Sequence, residues 1–83
     1  MFEVYALYSE AYDKIYIGYS SDADTRLKYH NEIAKKGYTI KFRPWKIVHR
    51  EQFETKSEAM HREQQLKSYQ GRQFIRSIIK LKI

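Results

Sequence analysis

With 83 residues, 42% of them apolar and 16% aromatic, the chain has material for one domain around one modest core, because a chain this short buries only about 60% of the surface it exposes when unfolded. Sixteen Lys and Arg against ten Asp and Glu leave a net charge of +6, which suits a polyanionic partner but serves simple solubility equally well. The lack of cysteine excludes a disulfide framework and thiolate zinc, three scattered histidines argue against a His-rich metal site, and with neither a signal peptide nor an apolar run of membrane length the expectation is a soluble cytoplasmic protein with no membrane partner.

The opening run FEVYALYS and a second run KIYIGYS, separated by EAYD, are rich in β-branched, aromatic and apolar residues and predict an antiparallel hairpin. Strand periodicity places Lys14, Tyr16 and Gly18 on one face of the second strand and Ile15, Ile17 and Tyr19 on the other. From Ser21 the pattern changes to a helix: a serine cap, Asp22 and Asp24 in the first turn, then Leu27, Ala34 and a stop at Lys35, Lys36 and Gly37, with acid at the start and cations at the end as the helix dipole prefers. Tyr38 to Pro44 is expected as a loop exposing Lys41 and Arg43, and Pro44 leads into a third strand, WKIVHREQF. Thr55 and Glu58 form a capping box that opens TKSEAMHREQQLKSYQ, with Gly71 placed to end that helix. Phe74, Ile75, Ile78 and Ile79 then recur at helical spacing in a short last helix.

Three groups of residues could carry chemistry. Ala59, Glu63 and Leu66 share one helical face at steps of four and three, so a carboxylate stands in the stripe expected to point inward. Glu63 is then either an edge carboxylate paired with Arg62 or Lys67, or a ligand for a hard divalent cation, since Mg²⁺ sites near phosphates use only one or two protein carboxylates. Arg26 and His30, four apart on the first helix, project side by side. That arrangement is ordinary on a solvated face, and it also suits a phosphate, with Arg binding its oxygens and His moving a proton. Tyr5 and Tyr16 fit a half-buried sheet surface, or else supply a phenol able to activate water. Eight tyrosines also offer stacking surfaces for bases.

Taken together, VYALYSEAYDKIYIGYSSDADTRLKYHN resembles the opening of a GIY-YIG nuclease domain. The first motif stands as Glu3-Val4-Tyr5 and the second as Tyr16-Ile17-Gly18; Arg26 and His30 follow in the helix, and Glu63 stands in EAMHREQQLK. Glu3 and Val4 depart from the glycine and isoleucine that name the first motif, and the polar residue some relatives carry after the glutamate helix has Ser68, Tyr69 and Gln70 as its nearest candidates. The resemblance covers essentially the whole chain and is strongest to small stand-alone members, more distant to the N-terminal nuclease domain of excision-repair incision subunits and to certain homing endonucleases.

The resemblance implies a single domain, 1–83, of the α/β (α+β) class: a small three-stranded antiparallel sheet flanked by helices in the order β-β-α-β-α-α. It further implies a divalent-metal-dependent endonuclease hydrolysing phosphodiester bonds in DNA, in repair or recombination, with one Mg²⁺ or Mn²⁺ held by Glu63. Arg26 would stabilise the transition state, Tyr5 or Tyr16 would activate water, and His30 would orient or relay protons. Backbone contacts to nucleic acid would come from Lys41, Arg43, Lys46, Lys67, Arg72 and Arg76, each also an ordinary surface charge. A catalytically inactive nucleic-acid-binding module of the same fold is the alternative. A monomer is favoured, and with no room for an attached targeting domain, weak sequence preference is expected.

Overall fold

The structure is a computed structural model that describes residues 1–82. Its elements are β1 (Phe2–Ser9), β2 (Lys14–Ser20), α1 (Ala23–Lys28), β3 (Lys46–Phe53), α2 (Lys56–Lys67) and α3 (Tyr69–Lys82). The strands form one antiparallel sheet in the order β2-β1-β3, so the predicted class and element order hold. The hairpin turns at Glu10 to Asp13, where Asp13 takes a positive φ of 54°, a conformation that Asp tolerates better than most residues.

As the central strand, β1 must bury both faces. Val4, Ala6 and Tyr8 join Ile15, Ile17 and Val48 under α2 and α3, which contribute Ala59, Leu66, Ile75 and Ile79. On the opposite face Tyr5 and Leu7 pack with Ala23 of α1 and with Trp45, backed by Tyr16, Leu27, Phe42 and Ile47. Two thin cores therefore sandwich one sheet, each large apolar side chain contributing about 1.5–3 kcal/mol by leaving water. The expected division of β2 is observed, with Ile15 and Ile17 on the α2 and α3 face and Tyr16 on the α1 face.

Four local expectations are corrected. The helix after β2 is capped by Asp22, not a serine: the Asp22 carboxylate accepts from Thr25 N at 3.1 Å, while Ser20 Oγ accepts from Asp22 N at 3.0 Å. This helix also ends early, because α1 widens into a π-helical turn over Tyr29–Ile33 and stops at Ala34. Gly37, with φ 109°, lies beyond it and precedes a 3-10 turn over Tyr38–Phe42 where a loop was expected. Finally, Gly71 does not stop α2. Ser68 caps it, its Oγ donating to Gln65 O at 2.6 Å, and Gly71 lies inside α3. A Cβ there would run into the Gln65 carbonyl and the Leu66 Cα, so the glycine lets the first turn of α3 cross the last turn of α2 at close range.

Candidate active site

The α1 face of the sheet gathers four side chains from three elements. Tyr5 lies across from Gly18 in the β1–β2 register, and a Cβ on Gly18 would come within 2.7 Å of the Tyr5 hydroxyl and 3.1 Å of Tyr16 Cε2. Glycine is therefore required at this point by the two phenols. The Tyr5 and Tyr16 ring centroids are 6.4 Å apart, and the His30 ring sits 6.4 Å from the first and 4.7 Å from the second. Arg26, one turn before His30, lies over the Tyr29 ring at 4.4 Å, an arrangement in which the aromatic face stabilises the cation.

His30 belongs to the π-helical turn and is only 3% exposed. Both of its ring nitrogens are engaged: Nε2 lies 3.4 Å from the Tyr5 hydroxyl and Nδ1 3.0 Å from Thr39 Oγ1. Burial, with the positive charges of Arg26 and Arg43 added, lowers its pKa from 6.5 to about 4. At neutral pH this imidazole is uncharged and its unprotonated nitrogen can accept a hydrogen bond. Burial likewise raises the Tyr5 phenol above its ordinary value, an effect opposed by the Arg26 guanidinium and reinforced by the negative charge of Glu63.

Glu63 arrives from the other side of the sheet, on the inward stripe expected for α2, where Ala59, Glu63 and Leu66 are all buried. Of its two candidate partners, Lys67 is the one observed, with Nζ 3.3 Å from Oε2. Arg62 is instead engaged by Glu51 at 2.8 Å. Among the described residues no cluster of three or more His, Cys, Asp or Glu side chains could hold a metal ion. A lone carboxylate of this kind fits a hard divalent cation that completes its shell with water and substrate phosphate, as Mg²⁺ does near phosphates, and does not fit a soft or fully protein-caged metal.

Two supports of this cluster carry no recognisable mark in the sequence. Glu3, standing where the first motif has glycine, is 8% exposed. Its Oε2 accepts from Ala23 N at 3.1 Å, and its Oε1 accepts from Arg50 Nε at 2.9 Å. Arg50 also pairs with Asp24 at 3.1 Å. This clamp ties the first turn of α1 to β1 and β3 and so sets where Arg26 and His30 project. Thr39 is the other support, for its hydroxyl meets His30 while its carbonyl accepts from Trp45 Nε1 at 2.7 Å.

The basic residues singled out in the sequence fall into distinct settings. Arg43, expected to be exposed, is half-buried, donating to the carbonyls of His30 and Ala34 at 2.6 Å each, because the ends of the π-helical turn leave those acceptors open. Lys46 pairs with Glu10 at 3.1 Å and Arg76 with Asp13 at 2.7 Å. Lys67 and Arg72 stand together where α2 gives way to α3, Arg72 Nε donating to Lys67 O at 3.3 Å. Lys41 is exposed on the 3-10 turn. No helix among the described residues is long and apolar enough to cross a membrane.

The GIY-YIG catalytic domain family matches residues 1–75. Proteins designated UPF0213 from Staphylococcus aureus strains Mu3, Mu50 and MW2 are each 39% identical over 64 residues, covering 77% of this chain and 78% of theirs. No solved structure matches the chain. With the family model matching most of its length, the chain belongs to the GIY-YIG catalytic domain family, a family of nucleases.

Proposed function

We propose that this protein is a divalent-metal-dependent endonuclease that hydrolyses phosphodiester bonds in DNA, in the cytoplasm and in the service of repair or recombination. The observation that carries the reading is the meeting of Tyr5 with His30 Nε2 at 3.4 Å, beside Arg26 and within the field of Glu63. A phenol in that position is oriented by its hydrogen bond to the neutral imidazole, and a divalent cation bound beside it would favour its ionised form, the form able to take a proton from an attacking water. With Nδ1 held by Thr39 Oγ1 at 3.0 Å and Nε2 facing the Tyr5 hydroxyl, His30 fixes the position of Tyr5, which makes it, of the two motif tyrosines, the one we assign to water activation.

Tyr16, half-buried on the same face, borders the approach of the phosphate. Arg26 supplies the positive charge that a phosphorane-like transition state needs, and removal of one such preorganised donor typically lowers kcat by about 10²–10³-fold. Glu63 would hold the Mg²⁺ or Mn²⁺, whose chemistry is Lewis-acid polarisation of the phosphate and leaving group. Lys67, now paired with Glu63, would turn to a phosphate oxygen once the carboxylate is engaged.

The test is cleavage of labelled duplex, branched and single-stranded DNA with Mg²⁺ or Mn²⁺, comparing the parent with Glu63→Ala. Cutting by the parent, lost in the variant while its circular dichroism is unchanged, is the expected result. Equal cutting by both proteins would overturn the role of Glu63, and tight binding by the parent with no cutting in either metal would replace the enzyme with a binding module.

A further inference from the structure

A groove of about 260 Å³ runs along the outer edge of β2, lined by Ile15, Tyr16, Ile17, Tyr38, Lys67 and Arg72. It begins at the candidate active site, since Tyr16 belongs to both and Lys67 is the partner of Glu63. We propose that this groove holds an unpaired DNA strand, one base stacked on Tyr38 and the phosphates drawn to Lys67 and Arg72, which makes single-stranded DNA the preferred substrate class of the nuclease read above.

Three features of the groove point the same way. Its lining combines two cations, Lys67 from the end of α2 and Arg72 from the start of α3, with the rings of Tyr16 and Tyr38, the combination on which sequence-tolerant single-strand binding rests. The Tyr38 ring is 47% exposed yet held from behind by Phe42, at 5.0 Å between ring centroids, and by Trp45 at 6.1 Å. Trp45 is itself fixed by its bond to Thr39 O. A ring braced on one side and open on the other loses little freedom when a base settles on it. The groove is also small, its 260 Å³ lying below the about 300–1,000 Å³ of small-molecule pockets, which suits part of a longer strand laid into it better than a small ligand enclosed in it. Bases within a duplex already have both faces covered, so only an unpaired base can offer one to Tyr38.

The larger depression of about 550 Å³ where α2 meets α3 lacks this combination. Among the described residues its lining carries one cation, Arg62, beside Phe74, against the two cations of the groove at β2.

The experiment is fluorescence anisotropy of labelled oligothymidylate, and of a mixed-sequence duplex of equal length, with metal chelated so that nothing is cut. Parent, Tyr38→Ala and Tyr38→Phe proteins are compared after melting curves confirm folding. The parent should prefer the single strand. Tyr38→Ala should weaken that binding about ten-fold or more, whereas Tyr38→Phe, which keeps the stacking face, should stay within about two-fold of the parent. Parent-like binding by Tyr38→Ala, equal loss in both variants, or equal loss on the duplex would each overturn the proposal. A separate cleavage assay distinguishes the two readings: Tyr38-dependent single-strand binding with no cutting leaves the groove and removes the nuclease, and metal-dependent cutting of duplex alone does the reverse.

Discussion

Acidification should weaken this fold through His30 in a defined window. Its pKa is 6.5 when exposed and about 4 in the folded protein. As pH falls below 6.5 the unfolded chain takes up a proton that the native imidazole refuses until about pH 4, so the unfolded state binds more protons across that interval and stability declines with falling pH. Above the window His30 is neutral in both states and contributes no slope. The difference between the two values, at about 1.4 kcal/mol per pH unit, amounts to about 3 kcal/mol. With His30 only 3% exposed, solvent screening reduces this little. For a domain whose whole stability is about 5–15 kcal/mol, the loss is large.

Urea unfolding followed by circular dichroism, at intervals from about pH 8 to about pH 4, measures the slope, and a His30→Gln variant isolates it. Other groups titrate nearby: burial pushes Glu51 up, but its hydrogen bonds with Arg62 and His49 outweigh this and leave it below the usual carboxylate range. Such contributions are common to parent and variant and cancel in the difference. The parent should lose about 3 kcal/mol more than His30→Gln between pH 6.5 and 4. Parallel curves would show that His30 takes up its proton as readily folded as unfolded, and the neutral acceptor invoked for Tyr5 would be lost with it.

Two further substitutions probe the scaffold around the site. Gly18→Ala places a methyl 2.7 Å from the Tyr5 hydroxyl, whose residue is 1% exposed and has nowhere to retreat; a destabilisation of about 1–3 kcal/mol should appear as a melting temperature lower by about 4 °C or more, and an unchanged melt would mean the phenols do not need the gap. Glu3→Ala leaves the buried Ala23 N–H without its acceptor and should cost about 1–3 kcal/mol in urea unfolding, with Glu3→Gln, which keeps an acceptor for Ala23, costing clearly less; equal losses in the two variants would place the effect in the Arg50 ion pair instead.

Periodicity carries most of the fold. Alternation in KIYIGYS is enough to put Tyr16 opposite the Ile15 and Ile17 face, since a strand has only two faces. The inward stripe of α2 likewise puts Glu63 among buried neighbours, as observed. Punctuation is less readable, because one residue type serves several ends. Gly71 reads as a helix stop, yet it is needed for close approach of α3 to α2, and only the three-dimensional crossing reveals that. Serine and aspartate are both good caps, so the choice of Asp22 over a neighbouring serine depends on the turn that Ser20 makes with Asp22 N.

The contacts that tune the site lie furthest from the reach of pattern. Thr39 meets His30 across nine residues, and the 3-10 turn that presents it follows a loop whose composition does not specify its path. Glu3 is the sharper case. Viewed against the family motif it is a departure from glycine, and viewed alone it is one more acidic residue near a chain end. In the fold its carboxylate reaches the N-terminus of α1 twenty residues on and Arg50 forty-seven residues on. A negative charge at a helix start is favourable in itself, and here it also fixes the helix that carries Arg26 and His30. The substitution that weakens the motif as a pattern therefore strengthens the site as a structure, replacing a small residue in β1 with a clamp between β1, α1 and β3.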